Sequence, residues 1–416
     1  MLLDPGVPPL VSKRRPLLDV ADVPNVIRDY VRGGLTHERT ALSGARGRVL
    51  AADVLAPMPL PPFDHAAVDG YALPQDRLGT IGEPIPIDGR IRAGDPASPA
   101  GGGALRILTG APIPEGMAAV VMQEHVGRSA NAIHLAEPVR RGANIRRVGE
   151  DVAAGEVILR AGRPLETPQI ALLAALGIDD IAVFRRPSVA ILALGNELVA
   201  PGDTRAAHQI YDSNSAMAAA FFARHGCEVR AVERLPDDPR TIREAMAALA
   251  GSVDLLVTSG GMADGDEDHT RQTLIALGGT WRTLGIKMKP GKPVSFGDIS
   301  GTTVLGLPGN PFAALVGLIV VGHPILAALD SRNAPEAGFS ACAGFALDRT
   351  PGRAEFFPAV RANRATEALT IDRLGKGGSA RLKPLAHADG LGFIESNVSC
   401  IRRGDRIVYH PFSTLF

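Results

Sequence analysis

Two stretches decide the fold: Val253-Asp254-Leu255-Leu256-Val257-Thr258-Ser259-Gly260-Gly261, and Thr302-Thr303-Val304-Leu305-Gly306-Leu307-Pro308-Gly309-Asn310-Pro311. Each is a short apolar run that ends in a glycine turn, and helical sequence follows, through Thr270–Leu277 and Phe312–Leu329. Upstream the same alternation holds: a strand-like Val189–Leu194, a helix through Met217–Arg224, a strand Glu228–Val232 and a helix Arg240–Leu249. Repeated strand and helix alternation predicts a parallel sheet covered by helices, the three-layer α/β/α arrangement, over residues 186–332. In such sheets ligands sit at the carboxyl ends of the strands, where both glycine turns fall.

The chemistry expected there follows from the residue types. Glycines in Ser259-Gly260-Gly261 let backbone N–H groups approach an anion. In Pro308-Gly309-Asn310-Pro311, Asn310 suits a helix N-cap and Pro311 the first helical position. Alone, either is equally an ordinary well-built turn. Between them lies Lys287-Met288-Lys289-Pro290-Gly291-Lys292-Pro293, a compact positive segment stiffened by two prolines and suited to an oxyanion. Its plain alternative is a solvated basic loop. Asp264, Asp266, Glu267 and Asp268 add carboxylates in the same unit, and acidic groups beside an anion site point to a divalent metal bridging to phosphate. An EF-hand is excluded, because His269 stands where the loop needs Gly and Ile275 where it needs Glu. Walker A, GxGxxG, GxSxG and HExxH patterns are absent.

Outward from this unit the texture changes. Residues 56–151 are dense in Gly and Pro with short Val and Ile runs, which predicts an inserted β domain. Helical patterns flank it at Asp22–Arg32 and Pro164–Gly177, so residues 18–55 and 152–185 read as one discontinuous linker domain. After a linker near Ser331–Gly338, residues 338–416 give short strands and a small terminal β-barrel-like domain. Residues 1–17 read as a disordered leader without a signal-peptide pattern. The uncharged run Phe312–Leu329 has the length of a membrane span, but His323 and Pro324 favour a buried helix that ends or kinks at Pro324.

Composition sets the class. The 416 residues, 45% hydrophobic and 21% charged, describe a multidomain folded chain. Forty-four Lys and Arg balance 44 Asp and Glu, which disfavours nucleic acid as the main partner. Three distant cysteines form neither a disulfide framework nor a zinc motif. A cytoplasmic enzyme with no membrane contact is the expectation. His65 and His269 read as solvated loop residues.

Taken in order, the motifs resemble the molybdopterin molybdenumtransferase family, the MoeA-type proteins that include the gephyrin E domain. The resemblance is carried by Gly47–Ala51, Asp64–Ala72, Leu108–Pro112, Val120–Glu124, Asn144–Arg147, Gly149–Asp151, Tyr211–Asn214, Ser259–Gly261, Lys289–Pro293 and Leu307–Pro311. It implies an elongated four-part subunit, a homodimer, and an α/β domain similar to molybdopterin adenylyltransferases. The implied reaction takes adenylylated molybdopterin and molybdate with Mg2+ and gives molybdenum cofactor and AMP. On this resemblance Ser259, Gly260, Gly261, Lys287, Pro308, Gly309, Asn310 and Pro311 hold the pterin nucleotide, while Lys289 and Lys292 attract molybdate. Glu197, Asp264 and Asp268 hold the metal, Asp69 and Thr109 reach a site across the dimer, and Arg353 and Ser379 close on the oxyanion. Contacts with a molybdopterin adenylyltransferase and with downstream molybdoenzyme factors are implied too.

Departures from the family pattern occur at Ala66 and Val68, where it has Ser and Met, at Ala263 and Ala313, each in place of Ser, and at Ala193-Leu194-Gly195-Asn196-Glu197, where both hydroxyls and a carboxylate are lost and Glu197 is kept. Asp264 stands as a replacement carboxylate. Two alternatives stay open on these grounds: a paralogue that binds or delivers molybdopterin nucleotide without inserting metal, and a metal-dependent pyrophosphate hydrolase.

Overall fold

A computed structural model describes residues 17–31, 34–97, 101–261, 269–332, 338–362, 368–375 and 377–415. At its centre is a six-stranded sheet in the order Glu228–Leu235, Ser188–Leu194, Leu255–Ser259, Thr302–Leu307, Pro293–Ile299, Thr280–Gly285. The first four strands are parallel, and every residue of Ser188–Leu194, Leu255–Ser259 and Thr302–Leu307 is buried. That is why they read as continuous apolar runs and not as alternating ones.

Alternate side chains of these strands enter two cores. Val189, Ile191, Leu255, Val257, Leu305 and Leu307 face the helix Asn214–Arg224 and the long helix Pro311–Asp330. Ala190, Leu192, Leu256 and Val304 face the helices Pro239–Leu249 and His269–Ala276. The helix Val23–Tyr30, assigned from the sequence to the linker domain, packs Val23 and Ile27 into the first of these cores.

Two features differ from the sequence reading. The strands Thr280–Gly285 and Pro293–Ile299 were not anticipated; at one edge Pro293–Ile299 runs antiparallel to Thr302–Leu307, and Thr280–Gly285 antiparallel to Pro293–Ile299. Ile299 pairs with Thr302 across Ser300 and Gly301, whose φ values are +52° and +84°; this is the two-residue hairpin turn that a Ser-Gly pair permits. The long helix does not end at Pro324; the irregularity lies just before it. A π-type turn over Leu318–Gly322 lets the His323 N–H reach Leu318 O, and helical structure continues to Asp330. Its apolar length belongs to the core, since 78% of the membrane-length window is buried.

Residues 65–135 include a second six-stranded sheet, ordered Met117–Met122, Gly70–Pro74, Ala104–Ile107, Ile85–Ile91, Ala132–Leu135, Val126–Arg128. On either side of it in the chain, His37–Ala41 pairs with Asp180–Phe184 and Val54–Leu55 with Val157–Leu159. The C-terminal region closes on itself: Ala354–Arg361, Thr370–Arg373, Phe339–Ala343, Arg406–Pro411 and Gly390–Ile394 form a five-stranded barrel, completed by pairing of the first with the last. Met288–Lys289 pairs with Ala354–Glu355, so the start of the lysine segment is also an edge strand of the barrel.

Candidate functional site

The two glycine turns leave adjacent parallel strands, with Ser259 the register partner of Leu307. Gly260 and Gly261 have φ of +86° and +65°. A Cβ on Gly260 would lie 2.4 Å from Leu194 O, so only glycine lets this turn lie against the neighbouring strand end. Asn214, in the first turn of its helix, ties the two turns together: Nδ2 donates to Ser259 Oγ and to Gly309 O, both at 2.8 Å. Among the described residues its Oδ1 is buried without a partner, as is Thr270 Oγ1 at the start of the helix after the first turn. Unspent buried polar atoms at a strand end are what a polar ligand would satisfy.

Beside this lies a cleft of about 470 Å³ between the α/β layer and the barrel. Lys289, Lys292, Pro308 and Asn310 line it from one side, and Arg353, Glu355, Arg373, Ser379 and Arg381 from the other. Phe312 N–H donates to Ser379 O at 2.9 Å, which fixes the barrel loop against the start of the long helix. Gly291, at φ +92°, brings the lysine loop against Ala313: a Cβ there would sit 3.2 Å from Ala313 O. Pro311 occupies the first helical position as expected, but the Asn310 side chain makes no cap bond and is left exposed to the cleft.

Charge in this cleft is uncompensated. Among the described residues Lys289, Lys292, Arg353 and Arg381 make no ion pair, and the Glu355 carboxylate is taken by Arg373 at 2.6 Å. The cleft is therefore a site for an anion.

Other expected residues lie elsewhere. Glu197 is exposed just past the strand Ser188–Leu194. Lys287 is drawn away to Asp19, Nζ to Oδ2 3.2 Å, and does not line the cleft. Asp69 accepts from Thr109 N at 2.8 Å and Oγ1 at 2.7 Å, and these bonds, the backbone one first, hold its carboxyl below the usual carboxylate range. Neither residue lines the cleft of its own chain. Asp264 and Asp268 lie outside the described residues. Among the described residues no three His, Cys, Asp or Glu side chains gather as a metal site.

Sequence reading assigned no role to Asn214, although its motif was noted, and did not single out Arg349, Glu355, Arg373 or Arg381. Asn214 meets its partners across 45 and 95 residues of chain, a separation with no local signature.

Three family models match consecutive parts of the chain: the MoeA N-terminal region (domain I and II) over residues 18–177, a probable molybdopterin binding domain over 190–328, and the MoeA C-terminal region (domain IV) over 340–412. A molybdopterin molybdenumtransferase of Haemophilus influenzae is 33% identical over 90% of this chain and 93% of its own length. The chain belongs to the molybdopterin molybdenumtransferase family.

Molybdopterin molybdenumtransferase 2 of Mycobacterium tuberculosis is likewise 33% identical, over 88% of this chain and 93% of its own. The crystal structure of the molybdopterin biosynthesis MoeA protein from Pyrococcus horikoshii superposes with a TM-score of 0.79 at 28% identity, covering 95% of this chain and 99% of the other. Family membership makes this chain a transferase of molybdenum cofactor biosynthesis. The cleft lies where the molybdopterin-binding region of this molybdenumtransferase-family fold meets its C-terminal region.

Proposed function

We propose that the chain inserts molybdenum from molybdate into adenylylated molybdopterin, with release of AMP. One observation carries this reading: Lys289, Lys292, Arg353 and Arg381, none of them ion-paired among the described residues, converge on one cleft next to the two turns bridged by Asn214. The cations attract the oxyanion, and the backbone N–H of Gly261 meets the pterin phosphates and nucleotide, that of Gly260 being donated to Leu307 O at 3.3 Å. Asn214 holds the two turns at fixed separation, so oxyanion and nucleotide are brought together without a protein nucleophile. Lys287, tied to Asp19, braces the base of the lysine loop.

Glu197, exposed just past its strand, and the carboxylates of the segment that follows Gly261 in sequence offer only oxygen donors, which suit a hard divalent cation. Glu197, Asp264 and Asp268 would hold Mg2+, whose contribution is to neutralise pyrophosphate charge. Asp69 and Thr109, held to one another and outside the lining of their own chain's cleft, would serve the cleft of a second subunit in a homodimer. A cytoplasmic location and contacts with a molybdopterin adenylyltransferase and with downstream molybdoenzyme factors follow from the same reading.

The test is a reconstituted assay with purified protein, adenylylated molybdopterin, Mg2+ and molybdate, following AMP and active cofactor together. Equal, molybdate-dependent yields of both are expected. AMP without cofactor would make the protein a hydrolase, and tight binding with neither product would make it a delivery module.

A further inference from the structure

The floor of the cleft carries a charge network that the reaction scheme does not use. Glu355, 6% exposed, is the strand partner of Lys289 in the register that joins the α/β layer to the barrel. Its Oε1 accepts from Arg373 Nη2 at 2.6 Å, and its Oε2 lies 3.6 Å from Arg349 Nε. Arg349 is spent on structure: Nη1 donates to Glu395 O and Val398 O, both at 2.8 Å, and Nη2 donates to Arg353 O. Arg373 is not. Its guanidinium lies over the Phe357 ring, 5.1 Å from the centroid, and its Nη1 is buried with no hydrogen-bond partner among the described residues.

Arg373 and Glu355 line the 470 Å³ cleft and also a second cleft of about 720 Å³ on the far side of Lys289, Lys292 and Arg353. A guanidinium with one edge fixed by a carboxylate, one face fixed by an aromatic ring and a donor left over is oriented for an acceptor that the protein itself does not supply. A tetrahedral oxyanion held by Lys289 and Lys292 is such an acceptor.

We propose that Arg373 is an oxyanion-binding residue of the cleft and that Glu355 is the positioning residue that holds it there. The proposal rests on the transferase reading for the identity of the oxyanion. It makes a prediction of unusual sign. By charge alone, removing the Glu355 carboxylate from a cation cluster should tighten anion binding; by positioning it should weaken it, because Arg373 loses its anchor.

The experiment is calorimetric titration of the full chain with molybdate alone, at fixed ionic strength, for wild type, Arg373→Gln, Glu355→Gln and the double variant. Arg373→Gln is expected to raise Kd at least tenfold and Glu355→Gln about fivefold, and the double variant should match Arg373→Gln alone, because Glu355 acts through Arg373. In the AMP-release assay both single variants should raise the molybdate KM while kcat at saturating molybdate stays within twofold, a split that general loss of structure would not give.

A Glu355→Gln Kd equal to or below wild type would overturn the positioning role, and an unchanged Kd for Arg373→Gln would overturn the binding role. Should either variant fail to fold, Arg373→Lys keeps the charge and removes the fork; an affinity between wild type and a tenfold loss supports the proposal, and a wild-type affinity overturns it. Wild-type protein that binds molybdate but releases no AMP would remove the transferase reading and leave the Kd comparison to decide the residues.

Discussion

Two clefts of about 470 Å³ sit at opposite ends of the same parallel sheet, and both are rich in cations. At the amino ends of the strands Arg48, Arg185, Arg186 and Arg230 gather with Glu38, Glu228 and Asp254. There, Asp254 takes a two-pronged contact from Arg185, 2.6 Å on each oxygen, and also accepts from Ser188 N and Oγ at 2.8 Å. Arg48 pairs with Glu38, and Arg230 with Glu228 at 3.2 Å. At the carboxyl ends the lysines and Arg353 have no such partners among the described residues. Counting cations alone would rank the two clefts nearly alike; asking which of them carboxylates already satisfy separates a structural clamp from a ligand site.

The comparison breaks most visibly if metal chemistry does not belong to the carboxyl end. Asp268→Ala should lower AMP release at least a thousandfold, roughly 4 kcal/mol of barrier, with unchanged unfolding by urea. Retained release would take that carboxylate out of the site.

Next in size is the clamp. Asp254→Ala should destabilise the fold by about 2 to 3 kcal/mol, short of a fully buried pair because Arg185 is about one-third exposed, and should leave the molybdate KM at its wild-type value. A shifted KM would mean the two ends are coupled. Burial raises the Asp254 carboxyl, but Arg185 and the Ser188 bonds outweigh it and hold it below the usual range. The pair's contribution is therefore complete above the ordinary aspartate range and is lost as pH falls through the lowered value.

Acid also acts at a third place, which must be separated from the clamp. Burial depresses the His323 imidazole to about 3, helped by neighbouring His225 and Arg332. The unfolded chain then binds a proton that the folded chain refuses between pH 6.5 and about 3, so stability falls as pH falls through that window. From pH 6.5 to 5 wild type should lose about 2 kcal/mol from this group, and His323→Phe should not. Urea midpoints at the two pH values decide it.

The smallest effect sharpens the carboxyl end itself. Lys289→Ala should raise the molybdate KM about tenfold, near 1.4 kcal/mol, with nucleotide binding nearly intact. Normal molybdate dependence would remove Lys289 from the oxyanion site.

Sequence by itself determined the α/β unit, because strands buried on both faces must be apolar throughout and the turns after them need glycine at positive φ or proline at a helix start. It also determined the family, through motifs spread in one order along nearly the whole chain, and named Lys289, Lys292, Arg353 and Ser379 before any cleft was seen. Only the tertiary structure decided which of the candidates meet. Lys287 carries the same charge as Lys289, two residues on, yet it bonds Asp19 while Lys289 lines the cleft, because the Lys287 N–H donates to Leu18 O, next to Asp19, whereas Lys289 pairs with Glu355 of the barrel. Asn214, Glu355 and Arg373 drew no role from the sequence because each acts through hydrogen bonds to residues 18 to 95 positions away, and such pairings leave no periodicity or spacing to read.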